Sequence, residues 1–181
     1  MKNRYQRKKE PAENRRLLLE VAFGMVSELG IDALTLEAVA ARAGLSKGGL
    51  LHHFPSKSAL QEALFRESLD QFSASIRQER EQSPEISPAM AYFRAALTDL
   101  ASENRRRALL FLFQAAMKEE YYRTHLTEWY REHLPEGNGI ASLLTVLVAD
   151  GLWNAGVFGF YTVTEEQQSQ IITLLEQLNT P

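Results

Sequence analysis

The chain has 181 residues, 45% of them hydrophobic, and a formal net charge of −3, which leaves room for one or two small domains with ordinary cores. It contains no cysteine, so disulfides, thiolate metal sites and a cysteine nucleophile are excluded. The charge is uneven: residues 1–60 hold ten Lys or Arg against six Asp or Glu, and residues 61–181 hold ten against seventeen. A DNA-facing head on an acidic body would have this outline, but half of the head's basic residues lie within Lys2–Lys9 and equally describe a solubilising tail. No apolar signal core follows the N-terminus, and no apolar run approaches the ~20 residues that span a bilayer. The expectation is a cytoplasmic protein with no membrane partner.

Taken in order, residues 1–10 form a polar, basic tail. Pro11 suits a first helical position, and Leu18, Ala22, Met25, Val26 and Leu29 then recur at helical spacing until Gly30 closes the segment. Thr35 caps a short helix containing Leu36, Val39, Ala40 and Ala43, ended by Gly44. Ser46 caps a third segment through His52, and Ser56 caps a long amphipathic stretch from Lys57 to Gln82. Pro84 and Pro88 bracket a linker. Helical patterns follow at 89–102, 105–117, 119–133, 139–160 and 165–178, separated by Ser102–Asn104, Pro135–Asn138 and Thr162–Thr164. No stretch sustains strand alternation. The reading is an all-α fold of about nine helices: a tail (1–10), a head (11–58) and a larger helical unit (59–181), with the helix 57–82 linking the two.

The segment TLEAVAARAGLSKGGLLHHF, from Thr35 to Phe54, has the parts of a helix-turn-helix. Gly44 can take the left-handed backbone of a tight turn, Leu45 follows as an apolar plug, and Ser46 restarts the helix. Val39 and Ala40 keep the supporting helix slim enough for a close crossing. Leu50 and Phe54 read as core residues that pin the second helix.

Residues 15–64 resemble the N-terminal domain of the TetR family of bacterial repressors. Three landmarks carry the resemblance at family spacing: SELG, TLEAVAARAGLSKGGLLHHF and FPSKSAL. It implies a DNA-facing set made of Thr35, Ser46, Lys47, Gly48, Gly49, Leu51, His52, His53 and Lys57. Thr35 would offer its hydroxyl and N–H to a phosphate at a helix N-terminus, besides serving as N-cap. Lys47 would reach a guanine edge or a phosphate, unless it is simply a surface lysine. His52 stands at an aromatic, groove-facing position, while His53 and Lys57 match phosphate contacts. Two residues depart from the pattern: Gly49 replaces the usual Thr or Ser, and Leu51 the usual Tyr. Gly48 and Gly49 each weaken a helix by roughly 1 kcal/mol relative to alanine; they either allow close backbone approach to DNA or leave the helix partly unformed until DNA orders it. Leu51 could instead touch a thymine methyl.

The resemblance also implies a C-terminal domain that dimerises and encloses an effector. The small residues Gly151, Ala155, Gly156 and Gly159 in 139–160, with Ile171, Ile172, Leu174, Leu175 and Leu178 in 165–178, suit a homodimer interface or intramolecular packing. A symmetric dimer would read a pseudo-palindromic operator in double-stranded DNA, with half-sites about 34 Å apart. Candidates for a small-molecule pocket are Phe93, Phe111, Gln114, Met117, Tyr121, Trp129, Asp150, Trp153 and Asn154, with Phe113, Tyr122 and Phe158 in the same stretch; at helical spacing each aromatic or methionine taken singly is more often core. Asp150 amid aromatics would suit a cationic ligand, or be exposed or paired at an interface. Arg105–Arg107 read as a solvated helix face or an anion site.

Three functions compete. One is a transcriptional repressor released by a small-molecule effector. Another is a DNA-binding regulator governed by a protein partner, without a cavity. An enzyme is the third and is disfavoured: there is no glycine-rich phosphate loop, metal-ligand constellation or Ser-His-Asp spacing, and His125 and His133 have no third member. No cofactor or metal is expected.

Overall fold

The computed structural model describes residues 11–134, 139–159 and 162–179. The basic tail, the Pro135–Asn138 turn and the end of the 139–160 segment at Phe160 lie outside the described residues. The chain divides into two compact units, one ending at Glu67 and the other beginning at Ser68.

The first unit contains α1 (Pro11–Leu29), a 3-10 turn at Ile31–Ala33, α2 (Leu36–Arg42), α3 (Lys47–His53) and the start of α4 (Lys57–Gln82). Its core is built from one face of each helix: Leu18 and Ala22 of α1, Val39 of α2, Leu50 of α3, Leu60 and Leu64 of α4, with Leu34 and Phe54 filling the joints. The 3-10 turn follows Gly30, which sits at φ 82. It was invisible to periodicity, because three residues are too few to show a period.

The second unit holds the rest of α4, then α5 (Pro88–Ala101), α6 (Glu103–Lys118), α7 (Glu120–His133), α8 (Gly139–Phe158) and α9 (Glu165–Leu178). The break before α6 is tighter than the sequence implied, and the one-residue break after it falls one position later. Ser102 alone separates α5 from α6, and Glu119 alone separates α6 from α7. Helix α5 packs most extensively against α8, and the two approach so closely that any side chain at Gly156 would collide with Leu100. Asn179, just beyond α9, donates to Thr145 of α8 at 2.8 Å and accepts from Ser87 at the head of α5 at 3.1 Å. Those two bonds satisfy polar groups that packing withdraws from water.

Two expectations are corrected. Helix α8 is 20 residues long and, by length and composition, apolar enough to cross a membrane; Thr145, Asp150 and Asn154 interrupt its sequence and hide this from a search for unbroken apolar runs. One face of it is buried through Thr145, Ala149, Leu152 and Trp153. The arginine triplet is not a free anion site: all three guanidinium groups are partnered, on a face that stays partly exposed. Arg105 donates to Ser75 at 2.7 Å and pairs with buried Asp99, Arg106 donates to the Leu100 carbonyl at 2.7 Å, and Arg107 pairs with Glu103. Burial pushes the Asp99 carboxyl above its usual range, opposed by the Arg105 guanidinium.

Candidate nucleic-acid interface and ligand cavity

The turn between α2 and α3 is fixed by local chemistry. Thr35 is extended (φ −126, ψ 150) and its hydroxyl accepts from the Ala38 N–H at 3.1 Å. At the other end Gly44 takes φ 67, and the N–H groups of Gly44 and Leu45 donate to the carbonyls of Ala41 and Ala40 at 3.2 and 2.9 Å. This pair of bonds is a Schellman termination, which asks for a left-handed residue at the glycine's position. Ser46 then accepts from the Gly49 N–H at 3.1 Å and starts α3. Arg42 grips Glu28 through two bonds, at 2.8 and 2.6 Å, holding the end of α2 to the end of α1.

With this cap, α3 has two sides. Leu50 and the following Phe54 face inward, and the Arg15 guanidinium lies 5.2 Å from the Phe54 ring. Lys47, Gly48, Leu51 and His52 are exposed, spaced one and four apart along the helix. Gly49 and His53 are half-buried, and the His52 and His53 rings meet edge-on at 5.6 Å. Lys57 is exposed at the first position of α4, whose cap is Ser56, accepting from Ala59 N–H at 3.0 Å. The Thr35 and Ser46 hydroxyls each accept one cap bond, which leaves the O–H donor of each for a phosphate or other outside acceptor. Beyond the sequence expectation, Lys47 is paired with Glu37 of α2 at 2.6 Å, and that ammonium lowers the Glu37 carboxyl below its usual range through its hydrogen bond and charge. Their ten-residue separation gives no helical-spacing signal.

In the second unit, α4 to α8 surround a cavity of about 100 Å³. Phe72, Tyr92, Trp129, Tyr130, Asp150 and Trp153 give it its chemical character. Phe72 and Trp129 stack at 5.4 Å, and Trp129 donates its indole N–H to the buried Ser73 hydroxyl at 2.8 Å. Tyr92 donates to Asp150 Oδ1 at 2.6 Å, and Tyr130 lies 3.1 Å from the Tyr92 hydroxyl. Burial pushes the Tyr92 phenol well above its usual range and that of Tyr130 up to about 12, while the Asp150 carboxyl is raised by the same desolvation despite the bond from Tyr92.

Of the expected pocket residues, the structure brings Trp129, Asp150, Trp153 and Asn154 to this cavity, together with Phe113. Phe93 and Phe111 are buried elsewhere in the core, and Gln114 is half-buried away from the wall. Met117 and Tyr121 are exposed, at 75% and 37%. Tyr92 and Tyr130 were not singled out from sequence. A tyrosine in an otherwise apolar helix could have marked Tyr92, since a buried phenol must find a partner. Among the described residues no group of three or more His, Asp or Glu is placed to hold a metal. His125 and His133 instead lie against Tyr121 and Trp129, with ring centroids 4.2 and 4.3 Å away.

Comparison with known proteins agrees with this geometry. Residues 18–64 match the model of "Bacterial regulatory proteins, tetR family", and residues 87–180, just over half of the chain, match "Tetracyclin repressor-like, C-terminal domain". The HTH-type transcriptional regulator RutR of Escherichia coli is 33% identical over 91 residues, which are 50% of this chain and 43% of that one. The HTH-type transcriptional repressor KstR2 of Mycolicibacterium smegmatis is 39% identical over 61 residues, 34% of this chain and 30% of that one. The matched stretches therefore span less than half the length of either relative. The multidrug binding protein EbrR, complexed with malachite green, shares the fold with a TM-score of 0.70 at 19% identity, covering 93% of this chain and 99% of that one. The chain belongs to the TetR family of bacterial regulatory proteins.

Proposed function

We propose that the protein is a homodimeric transcriptional repressor that reads a pseudo-palindromic operator with α3 and leaves it when a small molecule fills the cavity of the second unit. The observation that carries the DNA half is α3 itself: a short helix capped at Ser46, pinned by Leu50, with Lys47, Gly48, Leu51 and His52 exposed together. Lys47 and Lys57 supply positive charge, Gly48 lets backbone come near a phosphate or base edge, and Leu51 offers an apolar contact to a thymine methyl.

Dimerisation is supported by the exposed apolar residues of α8 and α9. Ile140, Leu143, Leu144 and Leu147 recur at helical spacing and are 41–70% exposed, and Leu174 and Leu178 of α9 are 56% and 45% exposed. A contiguous apolar face of this kind marks an interaction surface. Release by a ligand is supported by the cavity and by α4, which supplies Leu69 and Phe72 to the wall and begins with Lys57. A ligand that shifts α4 would redistribute the dimer among conformations with different spacing of the two heads.

A mobility-shift titration on an inverted repeat beside the gene tests the assignment of α3. Lys47→Ala and His53→Ala are each expected to weaken binding about tenfold, the scale of one lost DNA contact. Binding of both variants at parental affinity rejects α3 as the reading helix.

A further inference from the structure

The cavity contains an acid and, among the described residues that line it, no Lys, Arg or His. Asp150 accepts one side-chain hydrogen bond, from Tyr92 on Oδ1, and takes part in no ion pair among the described residues. The Tyr92 hydroxyl has a single proton and spends it on Asp150, so Tyr130 must donate to Tyr92. The chain of hydroxyls therefore points every proton toward the carboxylate and leaves Oδ2 without a side-chain donor among the described residues. A half-buried carboxylate without a cation is costly; it either keeps its proton or is compensated by a positive charge. The walls suit the second solution. Phe72, Trp129, Phe113 and Trp153 are rings in van der Waals pairs, centroids 5.4 Å apart for the first two and 4.9 Å for the others, and ring faces attract cations. One turn along α8 from Asp150, the buried Trp153 indole N–H has no hydrogen-bond partner among the described residues.

Size narrows the occupant. A cavity of about 100 Å³ is below the ~300 Å³ at which drug-sized pockets begin, and a 150 Å³ cavity in another protein holds a single benzene ring.

We propose that the effector is a small organic monocation, an ammonium or amidinium on a body of no more than about one ring, whose charge is held at Asp150. This rests on reading the second unit as the ligand-binding part of a regulator. Calorimetric titration of the full chain with three probes of one shape tests it: benzylamine (cation), benzyl alcohol (neutral) and benzoate (anion). Benzylamine is expected to bind at least about tenfold more tightly than benzyl alcohol, with benzoate weakest. Asp150→Asn should erase the advantage of the amine while keeping the affinity for benzyl alcohol. Tyr92→Phe removes the one side-chain donor to Asp150 among the described residues and should preserve or widen the preference for the cation, a result that mere loss of packing would not give. Equal binding of all three probes, preference for benzoate, no measurable binding of benzylamine, or an amine preference that survives Asp150→Asn overturns the proposal. Operator binding measured without any probe is independent of these outcomes; its loss would count against the regulator reading and not against the ligand class.

Discussion

The two units encode their work in different ways. In the first, the caps and the turn that set α3 act within about one turn of the residue they hold: Thr35 on Ala38, Gly44 on the end of α2, Ser46 on Gly49. In the second, the cavity draws residues from five helices, and Asp150 meets its partner Tyr92 across 58 positions of sequence. Local chemistry fixes the first arrangement within single turns, whereas a cavity assembled at long range can be altered one wall at a time.

The largest effect that would sharpen this contrast is Phe54→Ala. Phe54 is 2% exposed, and emptying such a site costs about 3–5 kcal/mol. The variant is expected to lose operator binding in mobility shifts while benzylamine still titrates the second unit. Loss of both would show that the units do not divide the work.

Asp150→Asn comes next. Burial raises the Asp150 carboxyl, and the titratable groups that face it, Tyr92 of α5 and Tyr130 of α7, are themselves held protonated. From the ordinary aspartate value of about 4 up to the raised one, the native state binds more protons than the unfolded chain, so stability falls as pH rises through that window. The asparagine variant should melt at a higher temperature than the parent at about pH 7 and show a shallower pH dependence below it, with buried Asp99 keeping its own share of the slope. A melting temperature lowered at neutral pH would contradict the assigned desolvation.

Much of the head was legible because its signals are local: a capping serine and a left-handed glycine mean the same thing in any protein. The cavity was legible only in part. Helix α5 is buried on almost every side, so Tyr92 and Phe93 are both inaccessible and no periodicity tells which one faces the cavity. Asp150 and Asn154 stood out as polar residues in apolar surroundings, and Trp129 and Trp153 as large aromatics. Gln114 carried the first of these signals and Met117 stood out as a large side chain, yet the phase of α6 turns both away. The Glu37–Lys47 pair escaped because it joins two helices.

Smaller effects probe the reading helix itself. A methyl group at Gly48 meets open space, while one at Gly49 would sit 3.3 Å from the Ser46 hydroxyl oxygen. Gly48→Ala should therefore stabilise the head by about 0.5–1 kcal/mol in denaturant melts, and Gly49→Ala by less. If Gly48→Ala also weakens operator binding, backbone approach at that position is part of recognition. Glu37→Gln, which frees Lys47 from its 2.6 Å partner, should raise operator affinity a few-fold at low salt and less at high salt, measured by fluorescence anisotropy.

The division of labour is tested most directly by measuring the operator affinities of Lys47→Ala and Asp150→Asn side by side, on one labelled fragment and without ligand. The expected result is binding about tenfold weaker for Lys47→Ala and unchanged for Asp150→Asn. Parental affinity for Lys47→Ala, or an equal loss in both variants, would contradict it.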